Sequence, residues 1–157
     1  MAVIQFSTFL LAGQLYGIEV DSVHSVRKFQ PLTEVPLAPP SVAGLINMRG
    51  QVTTAIDMRV RLELPAREAD STPMNVVVKS DDGLVSLLVD SIGDVIDTSP
   101  DQFDQVPESI QGAARDLVVG AYTMPDGQLL LALDAARTVD VGGRSTSVDA
   151  LPDSATK

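Results

Sequence analysis

Four times along this chain an apolar run rich in Val, Leu and Ile stops at a short turn bearing a glycine and then starts again. The turns are Ala12-Gly13-Gln14, Arg49-Gly50, Asp82-Gly83 and Asp126-Gly127. Glycine reaches the positive φ that tight hairpin turns require, so each interruption predicts two antiparallel strands. The flanking pairs are Val3 to Leu11 with Leu15 to Val20, Gly44 to Met48 with Gln51 to Ile56, Met74 to Lys79 with Leu84 to Asp90, and Leu117 to Met124 with Gln128 to Leu133. Thr33 to Val35 and Gly93 to Thr98 add two more, for about ten short strands at all-β spacing. Long helices are thereby excluded. Pro65 to Pro73 is polar and carries proline at both ends, which marks it as a connecting loop and divides the strands into two sets. Two small barrels satisfy the count, as would one larger one; closure in either case protects strand edges.

Helical signals are brief. Asp21 can cap a turn in which Val23 and Val26 lie three apart on one face, ahead of Arg27 and Lys28. Asp57 caps Met58 to Leu64, and Asp134 caps a last helix through Val139. Pro36, Pro39 and Pro40 force an irregular stretch, and Ser99 to Asp116 reads as a long acidic loop with at most a helical turn. From Gly142 onward the chain is a tail of small and polar residues that predicts disorder.

The 157 residues fit one domain able to bury a core, here built of aliphatic side chains because Trp is absent and aromatics make up only 4%. The lack of cysteine excludes disulfides, thiolate metal sites and Cys nucleophiles, and fits a reducing compartment. His24 is the sole histidine, so neither a zinc site nor a Ser-His triad can be assembled around it, and no phosphate-binding glycine loop is present. Asp90, Asp94 and Asp97 read as a solvated face rather than a cation site. No enzyme activity and no cofactor is expected. The first apolar run lacks a basic flank and is interrupted by Gln5, Ser7 and Thr8, so it reads as a strand and the chain as soluble and cytoplasmic.

A net charge of −10 argues against nucleic acid as a partner. The charge is nevertheless divided. His24 to Arg67 holds six basic residues against three acidic, whereas Asp81 to Asp116 holds nine acidic and only Arg115. Two faces of opposite sign can steer two partners, or simply keep the chain soluble. Asn47 and Arg49 are the polar intrusions into an otherwise apolar hairpin. They can complete the turn themselves, or Arg49 can stand beside an apolar groove lined by Val23, Val26, Leu45 and Ile46 and pair with a partner carboxylate.

The phrases GLINMRG and AIDMR, with FLLAGQLYGIEVDSV before them and LVSLLVDSIGDV after, resemble the CheW family of bacterial chemotaxis coupling proteins. The likeness runs from Phe6 to Val139 through Tyr16-Gly17-Ile18, Val35 to Pro39, Gly44, Asn47, Arg49, Gly50, Asp57, Leu87 to Asp90 and a terminal LLLALD. Ser25, Met48, Thr54 and Ser86 depart from it. It implies an all-β fold of two five-stranded SH3-like barrels, one CheW-like domain over residues 1–141, with lobe one over about 15–66, lobe two over about 74–139 and the first strand near the junction. It also implies an adaptor without catalysis. Its partners would be the cytoplasmic tip of methyl-accepting receptors, docked at the groove and Arg49, and the regulatory domain of a CheA-type histidine kinase, for which Gly44, Leu87, Leu88 and Val89 are the nominated contacts. An adaptor of another array, governing pili or gene expression, and a small all-β enzyme or ligand-binding barrel are the alternatives.

Overall fold

The computed structural model describes residues 3–68, 71–81 and 83–141, so the tail from Gly142 and Asp82 of the third turn lie outside the described residues. The strands are β1 (Ile4–Leu11), β2 (Gln14–Glu19), β3 (Val23–Arg27), β4 (Val42–Met48), β5 (Gln51–Asp57), β6 (Met74–Ser80), β7 (Gly83–Val89), β8 (Ser91–Thr98), β9 (Phe103–Asp104), β10 (Val118–Thr123) and β11 (Leu129–Leu133). Three short helices accompany them: α1 (Met58–Arg61), α2 (Gly112–Leu117) and α3 (Ala135–Val139). All four expected hairpins form, as the antiparallel pairs β1–β2, β4–β5, β6–β7 and β10–β11.

The strands make two sheets, one of six in the order β8-β1-β2-β11-β10-β9 and one of five in the order β3-β6-β7-β5-β4. The all-β, two-unit architecture is as expected, but its division along the chain is not. Loop 65–73 does not separate the lobes, because β6 and β7 after it join β3 to β5 before it, while the N-terminal hairpin joins β8 to β11. The sheets are knitted by the parallel pairs β2–β11 and β5–β7, which local turn signals cannot announce. The chain passes from one sheet to the other at Val20–Ser22, a single 3-10 turn, and at Asp90, both too short to carry a linker's composition.

A core common to both sheets contains Phe9, Tyr16, Ile18, Ile56, Val76, Leu87 and Leu131, all almost fully buried. Each sheet has a smaller cluster of its own: Phe6, Leu15, Tyr122, Met124, Leu130 and Ala132 in the six-stranded one, and Ile46, Ala55 and Leu88 in the five-stranded one. Ser86, a departure from the family pattern, is accounted for here. Its hydroxyl donates to Asn75 Oδ1 at 2.6 Å inside the protein, and the Asn75 amide donates to the Lys28 carbonyl at 2.9 Å, so the buried polar pair is satisfied.

The turn expected after Asp21 is not a helix over Val23 and Val26. Those β-branched residues extend instead as β3, and an irregularity between Val23 and Ser25 sets Val23 opposite Val78 and Val26 opposite Val76. Asp57 and Asp134 do cap their helices, accepting from Arg59 N at 3.0 Å and Arg137 N at 3.0 Å, although α1 stops at Arg61. Thr33 forms a bridge to Leu45 rather than a strand, and the acidic stretch contains β9 and α2.

Candidate functional site

The β4–β5 hairpin closes over a turn in which both central residues have positive φ, +54° at Arg49 and +83° at Gly50. Such a turn matches the twist of the strands it joins. Asn47 Oδ1 accepts from Gly50 N at 2.9 Å, so this side chain completes the turn. Arg49 does not contribute to it. Its side chain is exposed and has no hydrogen bond or ion pair among the described residues, yet it occupies a backbone region that suits Gly or Asn better. On the outward face beside it, Asn47 lies opposite Val52, which is 63% exposed, and Leu45 lies opposite Thr54.

The expected groove is not assembled from its four nominated residues. Val23 and Val26 are on β3 and Leu45 and Ile46 on β4, the two outer strands of the five-stranded sheet, with β6, β7 and β5 between them. Val26 is exposed, Val23 packs against the common core, and Ile46 is buried in the smaller cluster of that sheet. A hollow of about 360 Å³ does lie over that cluster, floored by Phe29, Leu32, Ala43 and Leu88 and rimmed by Asp57, Arg67 and Glu68. Only Leu88 of its lining was among the candidates. The nominated kinase contacts Gly44, Leu87, Leu88 and Val89 are corrected too: Leu87, Leu88 and Val89 are buried because β7 runs through the middle of its sheet, and Gly44, on the outer strand β4, is buried beneath the Thr33 bridge.

Around α1 lies a charge cluster that the spacing of single residues did not reveal. Arg59 grips Asp90 with both ends of its guanidinium, Nε to Oδ1 at 2.9 Å and Nη2 to Oδ2 at 2.5 Å. Asp90 Oδ2 also accepts from Ala12 N at 2.9 Å. Arg67 Nη1 reaches Asp57 Oδ2 at 3.4 Å, and a cavity of about 340 Å³ opens beside the cluster against Ser71 and Thr72. In the sequence, AIDMR contains Asp57 and Arg59 and the Leu87 to Asp90 run contains Asp90, but nothing pairs them, and Asp90 proves to be an ion-pair partner of Arg59 rather than part of a solvated face.

The hydrogen bond from Arg59 holds the Asp90 carboxyl below its usual range, with help from Ala12 N–H and the charges of Arg59 and Arg67 and against the opposing effect of burial. A carboxyl with a depressed folded-state pKa stabilises the fold above its unfolded value of about 3.9, and that contribution fades as the pH falls through the folded value. Asp90→Asn is therefore expected to cost about 1–2 kcal/mol at pH 7, the pair being partly exposed. Denaturant melts of both proteins from pH 7 to pH 2.5 check this: the gap between them should close on the acid side, and a gap independent of pH would contradict it.

A family model for the CheW-like domain matches residues 5–141. The chain belongs to the CheW-like family. A chemotaxis protein CheW of Bacillus subtilis (strain 168) is 33% identical over 147 residues, covering 94% of this chain and 92% of its own length. Another, of Klebsiella aerogenes, is 25% identical over 127 residues, covering 81% and 76%. The crystal structure of scaffolding protein TtCheW from Thermoanaerobacter tengcongensis matches with a TM-score of 0.80 at 23% identity, over 92% of this chain and 98% of that one, and so shares the fold. Within this CheW-like chain, the two polar residues of GLINMRG have parted roles: Asn47 builds the turn and Arg49 is left to solvent.

Proposed function

We propose that this protein is a chemotaxis adaptor that holds the cytoplasmic tip of a methyl-accepting receptor and the regulatory domain of a CheA-type histidine kinase in one geometry, working from the cytoplasm at membrane receptor arrays. Arg49 carries the reading: the turn accounts for the positive φ but not for an arginine there, whose exposed side chain has no hydrogen bond or ion pair among the described residues and is free to meet a partner carboxylate. The hollow over Phe29, Leu32 and Ala43 supports a helical receptor partner, since helix-in-groove docking needs an apolar floor and a few orienting charges. With Gly44 and Leu87 to Val89 buried, kinase contact falls to exposed apolar positions, of which Val52, Val95, Phe103 and Val119 are each more than half exposed. The chemotaxis names of the relatives favour this output over one governing pili or gene expression.

Reconstitution with receptor and kinase tests it. Kinase autophosphorylation should rise only when receptor and this protein are both present, and Arg49→Glu should weaken receptor binding by about tenfold or more while the fold is kept. Arg49→Asn should melt at the same temperature or higher, because Asn tolerates positive φ, and still bind receptor less well. Equal kinase activity with and without this protein, or ATP hydrolysis by the protein alone, would refute the adaptor reading.

A further inference from the structure

The four residues of α1 are too few to hold a helix by themselves, so this turn persists because of what surrounds it. Met58 and Leu62, 0% and 2% exposed, are set into the core common to both sheets. The side chains between and after them reach the opposite way along the chain. Arg59 binds Asp90 and, through it, the β1–β2 turn at Ala12. Arg61 Nε donates to the Thr138 carbonyl at 3.0 Å, and its Nη2 donates to those of Arg137 at 2.8 Å and Asp140 at 3.2 Å, closing the C-terminal end of α3. Glu63 Oε1 accepts from Ala113 N at 3.2 Å, at the start of α2. Glu63 itself is held at φ +59°.

These contacts share one property. α1 follows β5 of the five-stranded sheet, whereas the β1–β2 turn and α2 lie in connections of the six-stranded one and α3 follows its strand β11. Among the described residues, the hydrogen bonds made by a side chain from one sheet's segments to the other's run through Arg59 with Asp90, through Arg61 and through Glu63, apart from that of Lys79 Nζ, which donates to the Asp21 carbonyl in the Val20–Ser22 connection at 3.4 Å. The close packing of the common core opposes separation and large rotations of the sheets, but the hydrophobic effect is not directional, so burial by itself tolerates small rotations of one sheet over the other. Hydrogen bonds of fixed geometry, splayed in three directions from one rigid turn, do not.

We propose that α1 with Glu63 is a keystone that fixes the orientation of the two sheets, and that Arg59, Arg61 and Glu63 are positioning residues for coupling rather than contacts with either partner. The proposal rests on the adaptor reading only for its functional half. An adaptor that binds one partner mainly through each sheet transmits a conformational preference between them only if the sheets do not swivel.

Because the chain has no cysteine, spin labels at His24→Cys and Asp94→Cys, exposed positions on β3 and β8 assigned to neither partner, report the distance between sheets without background. In Arg61→Met and in Glu63→Asn, the latter chosen because Asn accepts positive φ, the distance distribution is expected to broaden about twofold with unchanged circular dichroism. Binding of receptor alone and of kinase alone should stay within about twofold, while receptor-dependent kinase activation falls about fivefold or more. Arg61→Lys, which keeps a donor toward the α3 carbonyls, should recover part of both. An unchanged distance distribution in folded Glu63→Asn overturns the keystone whatever the kinase assay shows. A broadened distribution with full activation overturns the positioning role and leaves the keystone. Absence of activation by the unmodified protein refutes the adaptor reading instead, and the distance measurement still decides the keystone.

Discussion

Gly44→Ala is expected to destabilise this protein by about 2–4 kcal/mol, because two costs fall on one methyl group. Gly44 has φ +153°, and a Cβ there would stand 2.6 Å from the Thr33 carbonyl oxygen. That oxygen is not free to retreat. It accepts from Leu45 N at 2.8 Å while Thr33 N donates to the Leu45 carbonyl at 2.8 Å, the bridge that covers the outer edge of β4. Making room for the methyl breaks both bonds and reopens that edge. Chemical denaturation of the purified variant measures the loss. A change under about 0.5 kcal/mol would mean that the proline-rich segment before Ser41 yields freely.

Leu87→Ala should cost about 3 kcal/mol, for the plainer reason that a fully buried leucine in the common core leaves a cavity. In a chain of this size that lowers the melting temperature by roughly 6–12 °C. The result bears on function, since a kinase-binding defect in this variant should be proportional to the unfolded fraction and vanish at low temperature. A defect that persists in fully folded protein would return Leu87 to the contact surface.

Local chemistry is what the sequence makes legible. Each hairpin is announced by its own glycine turn, and the caps of α1 and α3 by Asp57 and Asp134, because those interactions are closed within a few residues. Partner choice between hairpins is not local. Nothing near Leu15 says that it will lie opposite Leu130, so the order of strands in the sheets, and with it the burial of Leu87 to Val89 on both faces, could not be read. The site divides in the same way. Arg49 is conspicuous as a charge at a tight turn, whereas Arg59 and Asp90 become a pair only after the chain has folded back over 31 residues. The reading of Val23 and Val26 shows a third case: spacing by three suggests a helical face, whereas the residues extend as β3, with Val23 packed on the core and Val26 exposed.

The interleaving of the sheets also sets a timetable for synthesis. Emerging from the ribosome in order, the chain has everything required for the five-stranded sheet once β7 is out, at Val89. The β1–β2 hairpin has by then long been made, yet β2 still lacks its parallel neighbour, and β11 is not made until Leu129–Leu133. Phe6 and Leu15 must wait for Leu130 and Ala132 of that strand before their cluster is complete. Nascent chains stalled before Leu129 should therefore be the ones that recruit a holdase chaperone, and release from it should coincide with the arrival of the last strand.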